Sequence, residues 1–141
     1  MLHCRPATVA DGDRIRIDRL ELATVRLSPQ QQSEPFSISF ETATQRLADL
    51  PRMFLEPDGS FVWVSADGAE PAWQLDGVLN DRACRVISVE IKGTCSRRPF
   101  EQMLSIFDWP ATPLLIQLVQ TAVFLEVAEF FRLVDGSRST E

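Results

Sequence analysis

The feature that most constrains the fold is a regular spacing of turn-forming residues in the middle of the chain. The pair Asp-Gly occurs at nine-residue intervals, beginning at Asp58, Asp67 and Asp76. A calcium-binding repeat needs further oxygen ligands at alternate positions, whereas the segment FVWV (61–64) supplies only apolar side chains. Short antiparallel strands that reverse regularly produce the same spacing. The repeat therefore predicts a small sheet and argues against a calcium site.

Four segments around these pairs have the composition of strands. They are MFLE (53–56), SFVWV (60–64), AWQLDGVL (72–79) and RVISVEIK (85–92). Asp58-Gly59 is typical of a tight hairpin turn, and residues 80–82 are typical of a turn before the last strand. Asp76-Gly77 lies within an apolar run and indicates a bulge. Residues 52–92 are therefore predicted to form a four-stranded antiparallel meander.

The first third of the chain is less regular. Short alternations in residues 14–27 predict one bent strand or two short ones, and the polar segment SPQQQSEP (28–35) predicts a flexible connection. FSISFE (36–41) alternates apolar and polar residues, so we expect a strand, followed by a short helix from Thr42 to about Leu50. We therefore divide the chain into an N-terminal arm, residues 1–33, and a single α+β domain, residues 34–141.

The last third is predicted to be helical. Pro99 suits the first turn of a helix, and apolar residues then recur at helical spacing. A second helix is predicted from Thr112 to Gly136, and its apolar surface is wider than one packing contact needs. In an alternative interpretation this helix is broken near Thr121, and AVFLEV (122–127) forms a strand.

These elements together predict an α+β fold. Its core is an antiparallel β-meander sheet of about four to six strands with the C-terminal helices packed on one face. A chain of 141 residues with 45% hydrophobic content is long enough for one such domain.

Charge excludes some functions. The formal net charge is −6, and Lys92 is the one lysine beside thirteen arginines. A nucleic-acid-binding protein would need a basic face to neutralise phosphates, so we expect no nucleic-acid partner. Polar residues within residues 113–134 also argue against a membrane-spanning helix.

The cysteines and the single histidine offer little chemistry. Cys4, Cys84 and Cys95 are odd in number and have no C-x-x-C spacing, so we expect reduced thiols, no metal site and a cytoplasmic location. His3 lies at the terminus, where we expect fraying, which leaves histidine-based catalysis without a residue. We therefore predict no catalytic residues and no cofactor, and an enzyme is the less favoured class.

One local cluster is positive. The segment KGTCSRRP (92–99) brings Lys92, Arg97 and Arg98 close to a predicted helix start, and backbone N–H groups there favour anions. Cys95 lies within the same turn, where nearby arginines would lower its pKa. We predict that these four residues bind a phosphate or carboxylate, and the alternative is a solvated basic turn.

The favoured function is interaction with another protein or self-association, without catalysis. Trp109 is expected to be exposed between the two C-terminal helices, where a Trp beside a Pro suits a partner contact. Ile116, Phe124 and Leu125 lie outside the main apolar stripe of the predicted second helix, and we assign them to the same interface. The alternative function is binding of a small anion at residues 92–98.

Overall fold

The computed structural model describes residues 1–139 of the chain. Within that range the fold is α+β, with one open nine-stranded antiparallel sheet, a separate two-stranded hairpin and four helices. In chain order the elements are β1 (Leu2–Cys4), β2 (Ala10–Asp11), β3 (Ile15–Ile17), β4 (Leu20–Leu22), β5 (Val25–Arg26), α1 (Pro29–Gln32), α2 (Phe40–Ala48), β6 (Met53–Leu55), β7 (Ser60–Val64), β8 (Gln74–Arg82), β9 (Arg85–Thr94), α3 (Arg97–Ile106), β10 (Leu114–Leu118), β11 (Val123–Glu126) and α4 (Val127–Ser139).

The large sheet contains more strands than the four to six predicted. Its order is β2-β5-β11-β10-β1-β9-β8-β7-β6, and every recorded pairing is antiparallel. The predicted meander forms one half of it, as β6 to β9. The other half combines strands from both ends of the chain, which no local pattern indicates.

The turns of the meander differ from the prediction in detail. Gly59 has φ +94°, and the Asp58 carboxylate accepts hydrogen bonds from the backbone and hydroxyl of Ser60. The turn between β8 and β9 is formed by Ala83 and Cys84, at φ +50° and +65°, and not by residues 80–82. Two successive positive φ values are those of a type I′ turn, which matches the twist of the flanking strands.

The predicted bulge at Asp76-Gly77 is wrong. Gly77 is paired in regular register with Phe61 and Ile91, and the irregularity lies between Asn80 and Asp81. A Cβ at position 77 would collide with the ring of Phe61. The glycine is therefore explained by the space that this buried ring occupies.

The predicted strand at 36–41 is also wrong. Ser39 caps α2 by accepting a hydrogen bond from the backbone N–H of Thr42 at 3.0 Å, so the helix begins at Phe40. Phe36 and Ile38 are buried, as their alternation implied, but only one isolated bridge, Ser39 to Arg85, was found within residues 36–39 of the described chain. The expected helix after this segment is confirmed in α2.

The predicted second C-terminal helix is wrong as well. Residues 114–126 form the hairpin β10–β11, and within the predicted helix only α4 is helical. The alternative interpretation placed a strand at 122–127, where β11 lies, but did not predict β10. Ala122, with φ +55°, lies in the turn of this hairpin. β10 buries Leu114 and Ile116 on one face and Leu115 on the other, so its apolar residues have no strand alternation to distinguish it from a helix.

The N-terminal arm is part of the large sheet. β1 lies between β9 and β10, with Leu2 opposite both Val89 and Ile116. His3 is consequently 4% exposed and not frayed. β2 and β5 form the far edge of the same sheet, so residue 33 does not coincide with a break in it.

The core lies between the helices and one face of the sheet. Its residues come from β1, β7 to β10 and the helices α2, α3 and α4. On the opposite face, Leu27, Val9 and Val25 cover Leu115 and Phe124. The opposite face of β6 to β9, called the helix-free face, carries Phe54, Val62, Asp76 and Lys92 in one cross-strand row.

Candidate functional site

A cleft with a volume of about 500 Å³ lies between α3, the loop before β10 and the start of α4. We call it the arginine cleft. Its lining combines three arginines, two carboxylates and two aromatic rings with small apolar residues: Arg5, Arg97, Trp109, Pro110, Pro113, Leu114, Glu126, Val127, Ala128, Phe131, Arg132 and Asp135. Arg97 from the predicted anion site and Trp109 from the predicted interface thus meet in one cleft.

Trp109 is positioned by the end of α3. The backbone N–H groups of Phe107 and Trp109 both donate to the carbonyl of Leu104, at 3.0 and 3.3 Å. Asp108 then anchors the turn, because its carboxylate accepts from Arg46 at 2.8 Å and its carbonyl accepts from the backbone of Thr112 at 2.8 Å. The Trp109 ring is partly buried, with its centroid 6.1 Å from that of Phe131.

Arg97 is the first residue of α3 and lies over the ring of Phe131, with 4.0 Å between its guanidinium carbon and the ring centroid. Its Nε donates to Glu101 at 2.7 Å and its Nη1 donates to Asp135 at 3.4 Å. Its side chain is still 48% exposed. The guanidinium is therefore oriented by neighbours on α3 and α4 while remaining open to a ligand.

Arg5 and Arg132 complete the basic lining. Nε of Arg5 donates to Glu126 at 2.6 Å, and Nη1 of Arg132 donates to both carboxylate oxygens of Glu129, at 2.7 and 2.9 Å. Burial alone would raise the pKa of Glu129, but the hydrogen bonds from Arg132 and from the backbone of Ala23 outweigh it and hold the pKa below its ordinary value. Glu129 is therefore an ionised partner at neutral pH.

The charges of the cleft are mixed. Three lining arginines and two lining carboxylates, Glu126 and Asp135, give a local balance of +1 (three minus two). Glu101 and Glu129 lie behind Arg97 and Arg132 and are not part of the lining. The lining is thus less acidic than the chain as a whole, whose net charge is −6.

The other residues of the predicted anion site do not join the cleft. Lys92 is opposite Asp76 on the helix-free face, because its position in β9 has the opposite parity to Ile91 in the core. Arg98 is exposed and does not line the cleft, and Cys95 packs partly buried against the core. Of the four residues, only Arg97 contributes to it.

Three of the predicted interface residues are buried within the chain. Ile116, Phe124 and Leu125 are 4%, 6% and 0% exposed. Ile116 is opposite Leu125 in the β10–β11 hairpin, and Phe124 packs under the N-terminal arm. The wide apolar surface assigned to a helix is divided between two covered faces of a sheet, which removes the reason for the prediction.

Sequence reasoning missed Arg5, Phe131, Arg132 and Asp135. Arg5 follows β1, and its approach to Glu126 depends on the antiparallel pairing of β1 with β10 and of β10 with β11. No local pattern relates residue 5 to residue 97. Phe131 and Asp135 are four residues apart and lie on one side of α4, but helical spacing alone does not show that this side faces Arg97.

A second polar site surrounds His3. Its Nδ1 is 3.3 Å from the carbonyl oxygen of Gln32, and its Nε2 is 2.9 Å from Oε1 of Gln117. Burial lowers the pKa of His3, and the two hydrogen bonds oppose this shift only in part. The contacts tie β1 to α1 and β10, which is a structural role.

Metal sites, disulfides and membrane-spanning helices are absent from residues 1–139. In that range none of the three cysteines forms a disulfide, and no group of three or more His, Cys, Asp or Glu side chains is placed to hold a metal ion. No helix of the described chain is sufficiently long and apolar to cross a membrane. Comparison with models of protein families, with curated proteins and with solved structures found no match.

Proposed function

We propose that the protein is a non-enzymatic interaction module that binds a carboxylate-bearing segment of a partner protein in the arginine cleft. The observation that carries the proposal is the convergence of Arg97, Trp109 and Phe131, with Arg5 and Arg132 beside them. Arginine and tryptophan are the residue types most enriched at energetically dominant positions of protein interfaces.

The exposure of the cleft favours a macromolecular ligand. The side chains of Arg97, Arg132 and Asp135 at its rim are 48%, 49% and 54% exposed. Sites for small molecules bury about 70–90% of the ligand surface. A segment of a partner protein can cover such a rim from outside, whereas a small ligand would stay largely solvated.

The present ion pairs leave the arginines available. Each guanidinium carries five N–H donors in a planar fork. Among the described residues, Arg97 uses Nε and Nη1, which leaves its Nη2 group for a ligand. Exposed ion pairs contribute only about 0–1 kcal/mol, so exchanging Asp135 for a ligand carboxylate costs little.

Apolar surface beside the arginines supplies the second part of the recognition. Trp109 is followed by Pro110, and Pro113 and Leu114 continue the same wall. The turn at Asp108 holds this wall in place, which reduces the entropy lost on binding. We therefore expect ligands in which Asp or Glu stands next to Leu or Phe.

The test is binding of a library of short fluorescently labelled peptides that combine Asp or Glu with Leu or Phe. A matched library with Asn and Gln in place of the acids measures the contribution of charge. We expect the acidic peptides to bind, and the double variant Arg97→Ala/Arg132→Ala to bind about tenfold more weakly or worse, since hydrogen bonds to charged groups contribute about 1.5–3 kcal/mol.

Arg98→Ala is the matched control. Arg98 neighbours Arg97 and carries the same charge, but it is outside the cleft. Its replacement is expected to leave the affinity unchanged. Equal losses in both variants would mean general electrostatic attraction, and no binding of any acidic peptide would count against the proposal.

The second candidate is binding of a free small anion by the same arginines. The mixed apolar and basic lining supports phosphate binding less well than peptide binding, because phosphate would make no apolar contact with Trp109 or Pro110. Inorganic phosphate that raises the unfolding temperature of the wild type and of Arg98→Ala, but not of Arg97→Ala, would favour this alternative. The cytoplasmic location stays a prediction.

A further inference from the structure

The first strand of the meander, β6, lies at an edge of the large sheet. Phe54 at its centre is 61% exposed on the helix-free face, although most phenylalanines of this chain lie in the core. β6 pairs with β7 on one side, and within residues 1–139 no strand pairs with it on the other. This edge is far in the strand order from β10 and β11, which border the arginine cleft.

The hydrogen-bond pattern shows which backbone groups of β6 face outward. Glu56 N–H donates to the carbonyl of Ser60 at 2.9 Å, and Val64 N–H donates to the carbonyl of Arg52 at 3.2 Å. Antiparallel strands alternate between bonded and non-bonded pairs. Positions 52, 54 and 56 therefore bond towards β7, and the N–H and C=O groups of Met53 and Leu55 point away from the sheet.

We propose that β6 pairs antiparallel with β6 of a second copy of this chain, about a two-fold axis at Phe54. Met53 then lies opposite Leu55 of the second copy, and each such pair exchanges both of its backbone hydrogen bonds. The two Phe54 rings meet as a non-bonded cross-strand pair, the kind in which side chains approach most closely. The same contact would bury the exposed Phe54 ring and give the outward backbone groups hydrogen-bond partners.

The residues that flank β6 make the edge complementary to itself. The same register brings Arg52, just before the strand, close to Glu56 of the second copy, just after it, and both are exposed. Within residues 1–139, Arg52 forms an ion pair with the exposed carboxylate of Asp67, at 3.3 Å. The strand itself, Met53–Leu55, carries no charge, so two chains of net charge −6 meet there without like charges opposite each other.

Symmetry favours a second copy over an unrelated strand. A two-fold axis perpendicular to a sheet relates a strand to a second copy of itself that runs antiparallel. The strands of this sheet also pair antiparallel, so the second copy would continue the same arrangement. The turn at Pro51 and Arg52, where Arg52 has φ +61°, and Pro57 after the strand limit the pairing to the short segment between them. Because each chain contributes the same edge, the contact closes as a dimer.

The test is the solution mass of the intact chain by light scattering and sedimentation over a dilution series. At the highest concentration of the series, about 1 mM, we expect twice the chain mass of 15.9 kDa. The dimer should dissociate on dilution because the contact is small. Phe54→Ser should give a monomer. Val119→Ser is the matched control, because Val119 is 66% exposed in the turn of the β10–β11 hairpin.

Charge reversal tests the register. Arg52→Glu alone should weaken the dimer at least tenfold, and Arg52→Glu/Glu56→Arg should restore it. A monomer at every concentration overturns the proposal, as does a dimer that survives Phe54→Ser or a double reversal that restores nothing. Arg97→Ala should leave the dimer intact, so failure here is distinct from failure of peptide binding in the cleft.

Discussion

The guanidinium of Arg97 lies over the ring of Phe131, 4.0 Å from its centroid, and thereby joins the first turn of α3 to α4. The ring in turn contacts Phe100 and Trp109, at centroid distances of 6.2 and 6.1 Å. Arg97 and the two aromatic rings of the cleft, Trp109 and Phe131, therefore pack together.

This contact predicts a modest stabilisation. Arg97→Met, which keeps an unbranched side chain but removes the guanidinium and its charge, should lower the free energy of unfolding by about 0.5–1 kcal/mol, the value for exposed cation–π pairs. Urea unfolding measures the change. Arg98→Met, a change of the same kind outside the cleft, should have a smaller effect, and equal losses would contradict a specific role for the Phe131 contact.

The two serines that precede α2 and α3 differ in their use. Ser39 accepts from the backbone of Thr42, whereas the side chain of Ser96 makes no cap hydrogen bond within the described residues. Ser39→Ala should therefore cost about 1 kcal/mol, the usual value for loss of a helix cap. Ser96→Ala should be close to neutral in the same denaturation measurement, and the reverse order would refute the assignment.

Gly77 and Phe61 should behave as a coupled pair. Gly77→Ala places a methyl group against the buried Phe61 ring and should cost about 1–3 kcal/mol. Phe61→Leu makes room at that point, so the double variant should lose less than the sum of the two single losses. Strict additivity in a double-mutant cycle would show that the glycine is needed for another reason.

His3 should make stability depend on pH. Its folded-state pKa lies below the ordinary value of 6.5 because burial disfavours the imidazolium, so its contribution is complete above about pH 6.5 and is lost as pH falls through the folded pKa. His3→Gln should flatten the slope of unfolding free energy between about pH 5 and 7 relative to the wild type.

Nuclear magnetic resonance gives a direct check, because His3 is the one histidine of the chain. Its ring protons should titrate with a midpoint below 6.5. A midpoint above that value would mean that the contacts to Gln32 and Gln117 outweigh burial. Met1 also has a lowered amino pKa through burial, so comparison with His3→Gln separates the two groups.

Where an element depends on near neighbours, sequence patterns predicted it well. Alternation and turn residues identified β6 to β9, and helical spacing with Pro99 identified α3. The same rules failed at β10 and β11, since strands covered on both faces have runs of consecutive apolar residues and resemble a buried helix. They failed at 36–39 because Phe36 and Ile38 are buried in a segment that makes only isolated contacts with β9, such as the hydrogen bond from the Phe36 N–H to the Val86 carbonyl and the Ser39–Arg85 bridge, and forms no continuous ladder.

The sequence by itself determined the class of the fold and the meander, together with most of the buried residues, because these follow from the spacing of apolar side chains along a few turns or strands. The tertiary structure alone decided that β1 lies between β9 and β10, and that Arg5, Arg97 and Arg132 line one cleft. The physical reason is range: such contacts join residues 5 and 126, or 97 and 131, and depend on strand pairings whose free energy is spread over the whole sheet.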